Sequence, residues 1–593
     1  MTQWIAGITR GHNGCVCLLK DGEIVFAVEE ERLSRQKYDG SPFAGMIKIL
    51  EYTDKLDYLV IAHTQPLDES SRIDYTGDDM YTGLARKLGL IERNPDWVYD
   101  HPQVIDLSHV HHKLHAACAF YNSGFETATA VIVDGAGTFI PMQFGDNQEM
   151  TWELETIFDC SYPANFKTLW KHQGGRGPFT GAKIENVQKE GEESFDLCID
   201  DSAGIVKVYE AVTHYCGFQP IEAGKTMGLA PYGKPNENIP KLFVNETKWP
   251  QANRNFIVPN YPNGAFVNEG SYEYFHTAQG EKDLTKTENR RDLAFALQQE
   301  TQEQVLKLII EASEKTGNKN IVLSGGYGLN CVANYWYLDK LKEHEINLFV
   351  EPISSDAGTC VGAALAIYHN TTEDDKVRNY RSSLYLGPRN IYTKDDVISV
   401  CEKYEAEFKT NISYDDVVNL LTDRKIVTIF QGRSENGPRA LGNRSILYDP
   451  TDPNGKDHVN IVKRREYFRP FAGTILADHA HDWFEMHTLK ESPHMMYAMD
   501  CKPGVEEKIP SIIHVDGTCR IQTVTREQNK HYYNLIEKFY EKTKVPIIFN
   551  TSFNLGGEPL VETLDDAVRT MANSEIEYMY LPELDILVSK MND

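Results

Sequence analysis

Short apolar blocks separated by polar turns lay out strands from the first residues onward. Trp4-Ile5-Ala6-Gly7-Ile8 reads as a strand, Cys15-Val16-Cys17-Leu18-Leu19 as a second and Ile24-Val25-Phe26-Ala27-Val28 as a third, with Lys20-Asp21-Gly22-Glu23 turning between the last two. Two further blocks stop at glycine-rich turns: Ala130-Val131-Ile132-Val133 runs into Asp134-Gly135-Ala136-Gly137, and Ile321-Val322-Leu323 into Ser324-Gly325-Gly326. Between Arg291 and Thr316 the period changes to that of a helix, with Leu293, Ala296, Leu297, Val305, Leu308 and Ile309 on one face. A second, small-residue helix is predicted from Gly358 to Ala366. Residues 369–384 are charged and without apolar periodicity, and the pattern then begins afresh. Helices around Val397-Ile398 and Val417-Val418 follow, with strands over 425–430 and 545–550 and a turn and strand over 514–522. This alternation predicts an α/β fold in two domains, 1–375 and 385–593, with a polar stretch at about 175–215 read as an insertion or lid.

At 593 residues the chain is too long for a single core, which agrees with two domains. A formal charge of −27 disfavours non-specific binding to nucleic acid, whose phosphates it would repel. The eleven cysteines are scattered and form no C-x-x-C pair, which argues against zinc ribbons and a disulfide framework. There is no basic segment leading into an apolar core at the N-terminus, and no apolar run approaches the roughly 18 residues of a membrane span. The expected compartment is the cytoplasm, with no membrane partner.

Against that background a few residues stand out. In Ser108-His109-Val110-His111-His112-Lys113-Leu114-His115, a helix would place His111 and His115 on one face, where two imidazoles can grip one ion. An isolated H-x-x-x-H pair is more often a surface helix, but Asp134, ending a strand, and Asp356, opening the small-residue helix, complete an N/O set suited to Fe, Mn or Zn. His109 and His112 fall off that face. Thr9-Arg10-Gly11-His12-Asn13-Gly14 lies between two strands, the way actin-like ATPase folds present a first phosphate loop. The turn at Asp134–Gly137 takes the place of a second, and Gly325-Gly326 that of the adenosine side. Lys225 sits in a Gly-rich segment that is not a P-loop.

From Arg433 to Arg469 there are eight Lys/Arg (433, 439, 444, 456, 463, 464, 465, 469) against five Asp/Glu (435, 449, 452, 457, 466), a local +3 in an acidic chain. A charge run is ordinarily a solvated face. Interleaving with Gly, Pro, Leu and Phe suits a pocket better, and guanidinium forks bind phosphate oxygens bidentately. The strand over 545–550 delivers Asn550, Thr551, Ser552 and Asn554 at its C-terminal end, where open α/β sheets bind ligands.

Seven of these segments, in order, resemble the O-carbamoyltransferases of the NodU/CmcH (TobZ-like) family nearly end to end. They are Glu29-Glu30-Glu31-Arg32-Leu33-Ser34-Arg35, His111-His112-Lys113-Leu114-His115-Ala116, Lys225-Thr226-Met227-Gly228-Leu229-Ala230-Pro231-Tyr232-Gly233, Gly325-Gly326-Tyr327-Gly328-Leu329-Asn330-Cys331, Gly437-Pro438-Arg439-Ala440-Leu441-Gly442-Asn443-Arg444-Ser445, Arg465-Glu466-Tyr467-Phe468-Arg469-Pro470-Phe471 and Asn550-Thr551-Ser552-Phe553-Asn554. The resemblance implies an N-terminal actin-like ATPase (ASKHA) type domain and a C-terminal YrdC-like domain. It implies that carbamoyl phosphate and ATP, with Mg2+, become carbamoyl-adenylate in the second domain, and that the carbamoyl group passes to a hydroxyl in the first. On this chain, His111, His115, Asp134 and Asp356 would hold a divalent metal, Fe2+ first, with Mn2+ or Zn2+ as alternatives. Gly135, Gly137, Lys225, Gly325, Gly326 and Asn330 would bind the nucleotide. Arg439, Arg444, Lys463, Arg469, Arg520, Asn550 and Ser552 would bind carbamoyl phosphate and ATP, and His12 would be the base for the acceptor hydroxyl.

One position departs from the family: its first loop often reads His-Asp, whereas this chain has His12-Asn13, and an amide cannot accept a proton. The expected acceptor is a hydroxyl of a small molecule, or of a hydroxymethylated nucleotide or DNA base, and a homodimer is an open expectation. The rival readings are a tRNA threonylcarbamoyl-type transferase and a non-enzymatic, nucleotide-regulated binding protein of actin-like fold. The second basic domain argues against the latter. Carbamoyl transfer to a cysteine in hydrogenase maturation would bring paired C-x-x-C fingers and an acylphosphatase domain, and this chain has neither.

Overall fold

The structure is a computed structural model that describes residues 2–65, 79–92, 101–144, 146–175, 182–187, 194–244, 249–260, 264–278, 286–378 and 383–591. It divides into two compact units, one of residues 1–25 and 40–381, the other of residues 26–39 and 382–593.

The first unit is built on two sheets. Strands β1 (Trp4–Thr9), β2 (Cys15–Lys20), β3 (Glu23–Glu29), β4 (Tyr58–Ala62) and β5 (Val104–Asp106) lie in the order β3-β2-β1-β4-β5. The second sheet comprises β6 (Thr127–Val133), β7 (Phe139–Phe144), β8 (Asn147–Ser161), β9 (Asn165–Gly174), β10 (Ala182–Val187), β11 (Phe195–Asp200), β14 (Asn320–Ser324) and β15 (Asn347–Val350). A separate hairpin joins β12 (Ile257–Asn260) to β13 (Gly264–Val267). Within the second sheet the path β9-β8-β6-β14-β15 repeats the order of the first. The pairing sense repeats as well: β1 and β6 are each antiparallel to the next strand and parallel to β4 and β14, which are parallel to β5 and β15. This is the duplicated architecture of the actin-like ATPases, carried by strand order where the sequence shows no 20–50-residue repeat.

Each half ends in a helix that follows its fifth strand, His111–Ser123 in the first and Ala357–Thr372 in the second. The two helices pack closely because Gly362 has no side chain; a Cβ there would lie 2.0 Å from the Leu114 carbonyl oxygen. The stretch read from sequence as a polar insertion or lid is, in its described parts, two strands and a helix. β10 and β11 extend the second sheet beyond β9, and Ile205–Tyr215 is a helix. Alternation explains it: Phe195, Leu197 and Ile199 bury one face of β11 against Met142, Ile184 and Val187, and the polar residues between them face away.

The second unit is one mixed sheet. It contains β16 (Ala406–Thr410), β17 (Val427–Phe430), β18 (Arg444–Tyr448), β19 (Ala472–Leu476), β20 (Ala498–Asp500), β21 (Thr518–Val524), β22 (Ile547–Ser552), β23 (Tyr578–Leu581) and β24 (Ile586–Lys590). Their order is β16-β24-β23-β17-β18-β22-β19-β21-β20. Helices Lys394–Lys403, Tyr414–Thr422 and Leu564–Ala572 each start at a capping box, Thr393/Asp396, Ser413/Asp416 and Thr563/Asp566. Residues 26–39 belong to this unit, which apolar patterning did not foreshadow. Their acidic run looks solvated, yet Glu30, Glu31 and Arg32 are buried, and the Arg32 guanidinium donates to the carbonyls of Glu435 and Gly437 at 2.6 Å each.

Candidate active site

The His111–Ser123 helix brings the two predicted imidazoles to one point, Nε2 to Nε2 at 3.1 Å, both wholly buried. Asp134 arrives from the end of β6 and Asp356 from the residue before the Ala357–Thr372 helix. Asp134 Oδ2 lies 3.5 Å from His111 Nε2 and 3.9 Å from His115 Nε2; Asp356 Oδ1 lies 3.6 and 3.7 Å from the same atoms. One donor atom from each of the four residues lies within 4.8 Å of every other. Two nitrogens and two carboxylate oxygens converging in a buried place form a cage of the size and donor type that a divalent transition-metal ion takes. Burial opposes a charge on His111, but hydrogen bonds and charge from Asp134 and Asp356 lift its pKa to about 10. Burial also opposes ionisation of Asp356, and the charge of His12 with hydrogen bonds from His111 and His115 holds it well below the usual carboxylate range.

The remaining oxygens are put to use. Asp134 Oδ1 accepts the Gly326 N–H at 2.9 Å, which ties the β6 turn to the β14 turn. Gly325 has φ +87°, and a Cβ there would meet the Val133 carbonyl oxygen at 2.4 Å, so this turn requires glycine. Asp356 Oδ2 faces His12 Nδ1 at 3.5 Å, and the His12 side chain is 52% exposed, open to an incoming hydroxyl. His112 points away from the cage to Thr156 Oγ1 at 2.7 Å, and burial pushes its pKa down to about 4, leaving it neutral.

Two nucleotide candidates are engaged elsewhere. Lys225 lies in the Ala223–Leu229 helix, not in a loop, and pairs with Glu222 at 2.8 Å, because the Gly-rich segment takes a helical turn. Asn330 caps the Cys331–Lys340 helix through the Ala333 N–H at 3.1 Å, and its amide donates to Gln298 Oε1 at 3.0 Å. Sequence reading missed His63, just past β4, whose pKa burial and the charge of Arg10 lower to about 4. It also missed the buried carboxylates Glu153 and Glu155 of β8.

In the second unit, strand register assembles the anion candidates. Ala472 on β19 is the partner of both Arg520 on β21 and Asn550 on β22, so a small residue leaves two polar side chains flanking it. The buried Nε of Arg520 and Oδ1 of Asn550 have no hydrogen-bond partner among the described residues. Arg465 and Arg469 join them. Burial, then the charges of Arg469 and Arg520, push Arg465 well below its ordinary range; burial and the charges of Arg465 and Arg469 do the same to Lys463. Cations crowded together in this way favour an anion between them. Arg465 was passed over although it lies in the Lys463-Arg464-Arg465 run. Arg464 takes φ +54°, which turns the chain and sends its own guanidinium to the Asn573 carbonyl.

Three predicted residues have other duties here. Arg444 is fully buried and spends its N–H groups on the carbonyls of Gln431, Gly432, Asn443 and Glu562, with its guanidinium 3.9 Å over the Phe430 ring, and so holds the loop. Lys463 donates to the Ser552 carbonyl, to the Asn554 carbonyl at 2.8 Å and to Asn554 Oδ1 at 3.0 Å. Ser552 Oγ donates to Asn554 Oδ1 at 2.6 Å. Lys463 and Ser552 thus shape the turn after β22. Arg439 lies partly buried in the 437–445 loop.

Two family models match this chain: "Carbamoyltransferase N-terminus" over residues 98–365, which holds all four cage residues, and "Carbamoyltransferase C-terminus" over 418–590, which holds the arginine cluster. The chain belongs to the carbamoyltransferase family. Among its relatives are the uncharacterized protein sll1178 of Synechocystis sp., 30% identical over 96% of this chain and 94% of that one, and the nodulation protein NolNO of Sinorhizobium fredii, 29% identical over 95% and 77%. Among solved structures, full-length HypF in its phosphate- and nucleotide-bound form matches 62% of this chain and 55% of its own at 12% identity, with a TM-score of 0.34. Membership of the family makes the protein a carbamoyltransferase. No helix among the described residues is long and apolar enough to cross a membrane.

Proposed function

We propose that this carbamoyltransferase works in two stages on a hydroxyl acceptor. In the second unit, water cleaves carbamoyl phosphate to carbamate and inorganic phosphate, and a carbamate oxygen then attacks the α-phosphorus of ATP, entering with Mg2+, to release pyrophosphate. In the first unit, the acceptor oxygen attacks the carbonyl of the resulting carbamoyl-adenylate and AMP leaves. The observation that carries the reading is the cage of His111, His115, Asp134 and Asp356 beside His12, in a chain that also has a separate cluster of buried cations.

His111, His115, Asp134 and Asp356 would hold the metal, with Fe2+ favoured and Mn2+ or Zn2+ as the alternatives. Such an ion supplies Lewis-acid stabilisation of negative charge on a phosphate or carbonyl oxygen. His12 takes the acceptor proton, and Asp356 Oδ2 orients its ring; this supplies the carboxylate partner that Asn13 cannot be. The glycine turns at 135–137 and 325–326 let the adenylate phosphate approach the backbone closely, with the Gly137 and Gly326 N–H groups spent on holding those turns. Arg465, Arg469, Arg520 and Asn550, with Arg439, bind the anions of carbamoyl phosphate and ATP, while Lys463 and Ser552 fix the neighbouring turn. The acceptor is a small molecule, because a protein with a charge of −27 meets nucleic acid unfavourably.

Labelled pyrophosphate should exchange into ATP only when carbamoyl phosphate is present. Arg520→Ala should lower that exchange by about 10- to 100-fold, the worth of one or two charge-assisted hydrogen bonds. Exchange independent of carbamoyl phosphate, or none at all, would sink the adenylate route.

A further inference from the structure

We infer that Glu153, held by Lys171, is a positioning residue for the cage. Turned by a β-bulge, this one carboxylate fixes both the loop that carries Asp134 and the helix that carries His111 and His115. The inference rests on the reading of those four residues as metal ligands.

Strand alternation in Trp152-Glu153-Leu154-Glu155-Thr156 would put Glu153 and Glu155 on the same face of the sheet. The register says otherwise: Glu153 pairs with Gln173 and Glu155 with His172, so Leu154 is an extra residue and the two carboxylates face opposite ways. Glu155 meets His172 Nδ1 at 2.6 Å and accepts the Ile205 N–H at 2.8 Å, at the start of the Ile205–Tyr215 helix. Glu153 turns to the face where Thr156 meets His112, and accepts from Lys171 Nζ at 2.5 Å. The bulged residue is not idle, since the Leu154 carbonyl accepts the Asp134 N–H at 3.2 Å.

From Glu153 two lines run to the cage. Its Oε2 accepts the Thr138 N–H at 2.9 Å, and its backbone exchanges hydrogen bonds with Gly137 and Thr138, which pins the turn that follows Asp134. Thr138 Oγ1 in turn accepts the His111 N–H at 3.0 Å and donates to the Ser108 carbonyl at 3.2 Å, which fixes the first turn of the histidine helix. The fit is tight: a Cβ on Gly137 would lie 2.6 Å from Glu153 Oε2 and 2.5 Å from the His112 ring. Lys171 Nζ stacks 5.8 Å from the Phe195 ring on β11, so the sheet extension beyond β9 supports the site through this pair. Side chains behind metal ligands set ligand orientation, and losing one commonly costs 10- to 100-fold in affinity.

The test uses the full chain stripped of metal and titrated with Co2+, followed by visible absorption and calorimetry, with far-UV circular dichroism as the check on folding. Glu153→Gln and Lys171→Met should each weaken Co2+ by about tenfold or more. Glu155→Gln, which breaks a buried pair on the opposite face of the same strand, should lower thermal stability and leave Co2+ affinity at the wild-type value. Should Glu153→Gln fail to fold, Lys171→Met carries the test through the same pair. Folded variants of Glu153 or Lys171 that bind Co2+ like wild type overturn the positioning role alone. A wild-type protein that binds no Co2+ overturns the metal reading, and the positioning role with it.

Discussion

The two halves of the first unit share a strand order and differ in what they place at equivalent positions. The first half supplies nitrogen: His12 after its first strand, and His111 and His115 on the helix after its fifth. The second supplies oxygen at the same two places, Asp134 after its first strand and Asp356 at the helix after its fifth. Each half supplies two of the four cage donors. Their sheets differ too. The first is filled by residues such as Ile5, Ile8, Val16, Leu18 and Leu59, whereas β8 and β9 bury Glu153, Glu155, Thr156, His172 and Gln173. A duplicated fold has been made complementary at the seam, and the half that brings the carboxylates also carries the charged scaffolding that aims them.

If the halves are complementary, a ligand lost from either should be equally damaging. His111→Ala and Asp134→Asn should each reduce carbamoyl transfer to the acceptor by about 10^3-fold or more, the scale of losing a principal source of charge stabilisation. Pyrophosphate exchange should be untouched, because the proposed adenylate chemistry lies in the second unit. Measuring both activities on the same preparations separates the units. A Asp134→Asn protein that transfers normally while His111→Ala does not would break the symmetry of the argument.

The next effect is smaller and confined to the first half. His12→Ala should lower transfer by about 10^2-fold, the contribution of one general base. Metal content should stay at the wild-type level, since His12 meets the cage only through the outer oxygen of Asp356. A variant that transfers at the wild-type rate would assign the base elsewhere, with His63, which lies against the Gly11 turn, as the alternative.

Much of this was legible in the residues. The strands at the N-terminus, the apolar runs into Asp134 and Gly325, the helix ending at Thr316 and all four cage residues follow from period and residue type. What escaped did so for identifiable reasons. Residues 26–39 are polar by composition, and only the partners of Arg32 show that they belong to the second unit. Arg444 and Lys463 are the right residue types for an anion, but only the structure shows their protons already given to carbonyls. Lys225 and Asn330 were read in glycine-rich segments that fold into helix and helix cap. The bulge at Leu154 is invisible because it breaks the alternation by which strands are read.

The buried pair on the far face of β8 offers the finest test of the contrast between the halves, since β1 and β2 of the first sheet bury no charged residue. Burial opposes a charge on His172, but the charge and hydrogen bond of Glu155, with further help from Asp200, raise its pKa above the ordinary 6.5. A histidine whose folded pKa is raised stabilises the protein fully below its unfolded value, and the contribution disappears as pH rises through the folded value. The wild-type denaturant midpoint should therefore fall as pH is raised above about 6.5, with this one proton contributing a slope of at most about 1.4 kcal/mol per pH unit. In Glu155→Gln the raising charge is gone, so the slope should flatten over the same interval while stability at low pH drops. The difference between the two curves isolates the pair from other titrating groups, the cage histidines included. Parallel curves would mean that His172 stays neutral against Glu155, and the second half would then owe its buried polarity to hydrogen bonding rather than to charge.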